Sequence, residues 1–328
     1  MSALQSGYAM LVARLAPAIA LAASFVAAQP LVNLGKPLRA PFACTEEDIQ
    51  SLGLDCTSDE PCAVFLELAA LEIAGSKIFL TGNLHTATTT LASVLLASED
   101  EGKTWTEPHP RIRSTGLDQI QFLDFERGWV AGQQLQTMPR DPFFLITTDG
   151  GKTWRRRPVF GDSQVGSIEQ FWFDSRTDGV ALIDRMQSTE TGARYLVYET
   201  RTGGDTWMVR EVSARPLKLR RAPAQNPDRR IRADAKTRSF VVERREDERW
   251  QPLASFLIEA GSCRPAARPV AEPPKPDEVP RPEGRATAPR PEGRATAPQP
   301  EGRATESRNR GRSTLSPFPL TGSTLAPL

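Results

Sequence analysis

Between residues 63 and 263 the apolar residues come in short runs, and none of the runs keeps a helical period. KIFLTG, ASVLLAS, GWVAG and PFFLIT are typical, and glycine, aspartate or threonine clusters close most of them. Runs of this length between turn residues predict strands of an antiparallel meander. In the unit around residues 118–158, strands are expected over 118–125, 128–132, 143–147 and 153–158. One stretch departs from the pattern. TEEDIQSLGL, Thr45 to Leu54, predicts one or two helical turns, with Thr45 as N-cap and Asp48 three residues on.

Three of the turns repeat one another. They read SEDEGKTW, TTDGGKTW and TRTGGDTW, and their tryptophans, Trp105, Trp154 and Trp207, are 49 and 53 residues apart. Gly102, Gly151 and Gly204 share a position where a tight turn needs positive φ. Asp100 and Asp149 stand two residues earlier, where a short carboxylate accepts hydrogen bonds from turn amides. The third copy has Thr202 there and is expected to be looser. A fourth, eroded copy is ERREDERW, Glu243 to Trp250, with Asp247 in place of the glycine. A period near 50 residues predicts an all-β fold: a small β-propeller of about four four-stranded blades over 63–263, either closed or completed by a partner. Residues 29–62 form a cysteine-containing extension ahead of it.

The turn motif resembles the Asp-box, or BNR repeat, S-x-D-x-G-x-T-W. A second element recurs upstream: SKIFLTG, QFLDFERGWVAG and QFWFDSRTDGVALI precede the three boxes. Together, over about residues 64–260, they resemble the sialidase-like propellers and the photosystem II assembly-factor propellers with their bacterial relatives. The resemblance implies a propeller in which Asp100, Gly102, Trp105, Asp149, Gly151, Trp154, Gly204 and Trp207 brace turns and take no part in catalysis. A sialidase would further require a tyrosine nucleophile with an acid partner, and an arginine set that begins in an F/Y-R-I-P motif. No such motif is present, since Arg111-Ile112 is followed by Arg113. Beyond the leader, tyrosines occur only at Tyr195 and Tyr198, which three-residue spacing puts on opposite sides of one strand. The expectation is a non-catalytic binding or assembly scaffold, with a sialidase-like glycoside hydrolase as the alternative.

The two ends differ from the middle. Leu15 to Ala28 is apolar, too short to span a bilayer, and ends in Val26-Ala27-Ala28, so residues 1–28 read as a signal peptide. That predicts export to the periplasm or the extracellular space, with no membrane span left after cleavage. Cys44, Cys56, Cys62 and Cys263 make an even count, which suits two disulfides in an exported chain. Three connectivities are possible. Joining first and last blades favours Cys62 with Cys263, leaving Cys44 with Cys56. From 264 to 328 proline, arginine, alanine and glutamate dominate, with PEGRATAP-like copies starting at Pro282, Pro291 and Pro300. That composition predicts a disordered tail.

Charge adds little. The formal net charge is +1, so no global field selects a partner. The arginine-rich stretch from Arg215 to Arg249 has only Phe240 and the adjoining Trp250 as stacking aromatics, so nucleic acid is not expected and a solvated blade edge is. His85 and His109 are isolated, and no metal or cofactor is expected. The loops between second and third strands leave opposite the Asp-boxes and vary in length. They carry His85, Gln134, Arg140, Arg185 and Arg194, which make a candidate face for an unknown protein or glycan partner.

Overall fold

The computed structural model describes residues 29–186, 192–219 and 227–265. The expected signal peptide and nearly all of the expected disordered tail lie outside these. The extension holds β1 (Leu31–Val32), β2 (Phe42–Ala43) and α1 (Glu46–Ser51). Thr45 caps α1 as expected: its hydroxyl accepts from the Asp48 N–H, and the Asp48 carboxylate accepts from the Thr45 N–H. No helix among the described residues is long and apolar enough to cross a membrane.

All else is strand. β3 (Cys62–Ala74), β4 (Lys77–His85), β5 (Thr90–Ser98) and β6 (Thr104–Trp105) come first. Then follow β7 (Thr115–Phe122), β8 (Gly128–Leu135), β9 (Pro139–Thr147) and β10 (Arg155–Pro158). β11 (Ser167–Phe173), β12 (Gly179–Asp184), β13 (Tyr195–Thr200) and β14 (Met208–Ser213) form the third group. β15 (Arg229–Asp234), β16 (Ser239–Glu246), β17 (Arg249–Leu257) and β18 (Glu259–Cys263) end it.

The second and third groups are four-stranded antiparallel meanders, β7 to β10 and β11 to β14. Their architecture is mainly β and propeller-like. The remaining sheets depart from a uniform set of four-stranded blades, and β1 pairs with β6 as a two-stranded sheet. One has five strands in the order β2-β18-β3-β4-β5, and another has only β15-β16-β17. The extension mends that short sheet at one edge, where Leu38 bridges Phe256 and donates to the Ser255 carbonyl at 2.8 Å.

Apolar residues fill the spaces between neighbouring sheets. Trp105, Leu66, Val242 and Phe256 join the first sheet to the β15–β17 sheet. Phe79, Phe122, Leu145 and Trp154 join the first to the second, and Trp129, Phe144, Phe173 and Ile183 join the second to the third. On the outer strand β14 the apolar residues stay in water, with Met208 60% exposed.

The boxes form as their chemistry requires. Gly102, Gly151 and Gly204 have φ of +87°, +80° and +94°. A Cβ on Gly151 would also lie 2.5 Å from the Phe79 ring, so backbone and packing both demand glycine there. In the second box Asp149 accepts from the Thr153 N–H at 2.9 Å and the Thr153 hydroxyl at 2.6 Å. Trp154 Nε1 donates to the Gly151 carbonyl at 3.0 Å. The third box is not looser. The Thr202 hydroxyl accepts from the Thr206 N–H at 2.9 Å and meets its hydroxyl at 2.9 Å, replacing the carboxylate bond for bond. The eroded fourth copy is a different object. Asp247 and Glu248, both at positive φ (45° and 65°), make a two-residue hairpin between β16 and β17. Trp250 is half-buried, with the Arg230 guanidinium 4.1 Å from its ring centre.

The disulfides also correct an expectation. Cys263 pairs with Cys44, Cα atoms 4.8 Å apart, and Cys56 pairs with Cys62, 5.2 Å apart. The cause is the position of β18. It lies between β3, where Cys263 faces Cys62 in register, and β2, whose parallel pairing puts Cys44 beside it. Both strands thus offer a cysteine, and the short 57–61 turn holds Cys62 for Cys56. Two disulfides suit an oxidising compartment.

Candidate binding face

Antiparallel connection sends alternate turns to opposite ends of each sheet. The β7–β8 turn lies with the second Asp-box, since the Gly150 N–H donates to the Glu126 carbonyl at 2.9 Å. The β4–β5, β8–β9 and β12–β13 loops leave from the other end, as the chain pattern predicts.

The residues expected on that face are there, but most are engaged within the fold. His85 ends β4, half-buried, with its ring 5.9 Å from Phe65 and Nδ1 2.7 Å from the Thr86 carbonyl oxygen. Gln134 and Arg140 face each other across the β8–β9 hairpin. Arg140 donates to the Ser163 hydroxyl at 2.7 Å and pairs with Asp141 at 3.5 Å. The Arg185 guanidinium lies over the Phe160 ring at 5.2 Å. Arg194 grips Asp184 with two bonds, 2.7 and 2.6 Å. Asp184 is buried, which raises its pKa, yet the Arg194 bonds and the Met186 N–H outweigh burial and hold the carboxyl below its usual range. These side chains therefore brace the loops. The arginine run in the β15–β17 sheet is similarly occupied: Arg230 and Arg232 both bond Glu243, at 2.6 and 3.2 Å.

Between the β4–β5 and β8–β9 loops lies a cleft of about 770 Å³, closed on one side by the end of α1. Ser51, Leu52, Thr88, Thr89, Thr90, Ser114, Leu135, Gln136 and Thr137 line it. No charged residue does. Sequence reading overlooked it because threonines in loops carry no periodic signal and because α1 is remote in sequence.

Beside the cleft is a buried polar cluster that also escaped notice. Asp118 occupies a bulge in β7, where it accepts from Gln133 Nε2 at 2.6 Å and Asn83 Nδ2 at 3.3 Å. Asn83 Oδ1 accepts from the Leu117 N–H at 2.9 Å and so ties the first sheet to the second. Burial pushes the Asp118 pKa up, Glu67 adds to the rise, and the two amides oppose it. Asn83, Gln133 and Asp184 hold equivalent positions in three sheets, 50 and 51 residues apart. That recurrence of a polar residue at one strand position is the signal the sequence does contain. Among the described residues no group of three or more histidine, cysteine or acidic residues is placed to hold a metal ion.

No protein-family model matches the chain, and no curated protein matches it. Among solved structures it is similar to YCF48 from Cyanidioschyzon merolae, at 17% identity and a TM-score of 0.31, over 58% of this chain and 59% of that one. It is also similar to an alpha-L-arabinanase of Penicillium chrysogenum complexed with arabinobiose, at 13% identity and a TM-score of 0.30, over 60% of this chain and 68% of that one. The chain thus spans 59% of the length of the YCF48 chain it matches.

Proposed function

We propose that the chain is an exported, non-catalytic propeller of about four blades that serves as a binding or assembly scaffold, with its partner seated on the face opposite the Asp-boxes. The cleft carries this reading. It opens among loops of two sheets and a helix of the extension, all held on a rigid β scaffold, which is where binding sites concentrate. The Asp-box residues support it from the other side, because their polar groups are spent on their own turns. Of the two tyrosines open to the glycosidase alternative, Tyr195 lies under the Arg194 guanidinium, 5.2 Å from its ring centre. Tyr198 is buried between the second and third sheets, 5.6 Å from the Phe160 ring, and burial pushes its pKa up, both unsuited to a nucleophile.

The test is photo-crosslinking in the native cell envelope. A photoreactive residue at position 88 or 137 is expected to capture one partner species, and the same residue at position 152, on the Asp-box face, is expected to capture none. Capture at position 152 alone would reverse the assignment of faces.

A further inference from the structure

Resting on that loop-face reading, we infer that the cleft takes an extended, uncharged stretch of polypeptide. The lining sets the charge. Asp, Glu, Lys and Arg are all absent from it, so an ionic group entering the cleft would leave water without a counter-charge. The arginines nearest in sequence to the lining are already paired, Arg140 with Asp141 and Arg113 with Glu47 and Asp48.

The lining also sets the class. Thr88, Thr89 and Thr137 offer hydroxyls, the first two 3.4 Å from each other, and each hydroxyl can both donate and accept. Such groups satisfy a peptide N–H or a peptide carbonyl equally, whichever the strand presents. Gln136 adds an amide of the same two-way kind. Neither Gln136 nor Thr137 spends its side chain on a hydrogen bond within the described residues. Leu52 and Leu135 supply apolar seats for alternate side chains of an extended strand. A sugar ring would instead need a flat aromatic surface for its apolar face, and no aromatic ring lines the cleft. Size agrees: about 770 Å³ is in the range of ligand sites, and a strand advancing roughly 3.3 Å per residue would place a few residues there, not a folded domain.

The experiment offers the full chain three probes: a bead library of random heptapeptides built from uncharged residues, a matched library with charged residues at alternate positions, and neutral gluco- and xylo-oligosaccharides. The uncharged peptides are expected to be selected. Their affinity should change less than about twofold between low and high salt, since no ion pair forms. The double variant Thr88→Val, Thr137→Val should weaken binding about tenfold or more with an unchanged Tm, because both side chains are exposed and valine keeps their shape. Selection of charged peptides, a steep salt dependence, or no selection at all overturns the inference. Binding of oligosaccharides alone, lost in the double variant, overturns the peptide class and leaves the loop face standing. Peptide binding that survives the double variant but fails in Arg140→Ala puts the site elsewhere on that face. Crosslinking confined to position 152 removes both readings together.

Discussion

The indole N–H of Trp129, in the second sheet, donates to the Gly203 carbonyl in the third Asp-box at 2.9 Å. The same ring stacks on Phe173 with centres 3.8 Å apart. One buried side chain thus supplies both a polar and an apolar tie between neighbouring sheets, and it holds a box belonging to the next repeat.

Trp129→Phe keeps most of the stacking and leaves the Gly203 carbonyl unpaired. It is expected to cost about 1–3 kcal/mol. Trp129→Ala also opens a cavity and should cost about 3–5 kcal/mol. Urea denaturation checks both. A Trp129→Phe variant as stable as the wild type would show that the bond contributes nothing.

Asp149 makes the second box sensitive to acid. Burial tends to raise its pKa, but bonds from Thr153 and Thr147 and the Lys152 N–H outweigh that and bring it to about 2. A carboxylate with a folded pKa below its unfolded value near 3.9 contributes stability that is complete above about pH 4. The contribution drains away as pH falls toward 2. Asp149→Asn should therefore be less stable than wild type at pH 6 and should close the gap by pH 2. Exposure of the group keeps the effect small, about 1 kcal/mol. Parallel melts across this range measure it, and a gap that does not narrow with acid would locate the effect elsewhere.

The two disulfides should contribute unequally. Cys44–Cys263 spans a sequence separation of 219 and Cys56–Cys62 one of 6. In the chain-entropy account the first stabilises by about 5 kcal/mol and the second by about 2 kcal/mol. Peptide mapping without reductant should recover these two pairs. The Cys44→Ser, Cys263→Ser double variant should melt well below the Cys56→Ser, Cys62→Ser variant.

Arg194→Ala strips the buried Asp184 carboxylate of its counter-charge and should lower the Tm. Adding Asp184→Asn should restore part of the loss, since no unpaired charge then remains. If the double variant melts no higher than the single one, the pair does not act through charge.

The repeats were legible because their chemistry is local. Asp149, Gly151, Thr153 and Trp154 satisfy one another within a few residues, so their spacing alone reveals them. The helix cap at Thr45 was legible for the same reason. What escaped depends on residues distant in sequence. Nothing local tells Cys263 to choose Cys44 over Cys62, because the choice follows from β18 entering between β2 and β3. Arg194 looked available for a partner because Asp184 lies ten residues away across a hairpin. The fourth repeat misled for a subtler reason: its tryptophan survives, yet two positive-φ residues make a hairpin without a glycine. The cleft was illegible because four separate segments build it, far apart in sequence.

The placement of β18 also bears on how the chain is made. The first long strand to leave the ribosome, β3, has as its neighbour β18, the last of the described strands. Until residue 263 has emerged, the edge carrying Val64 and Leu66 has no permanent mate. Domains whose contacts join the two ends of a chain close late and slowly. Completion of the first sheet is consequently a late event of synthesis, whereas the meanders β7 to β10 and β11 to β14 need no strand from the far end of the chain.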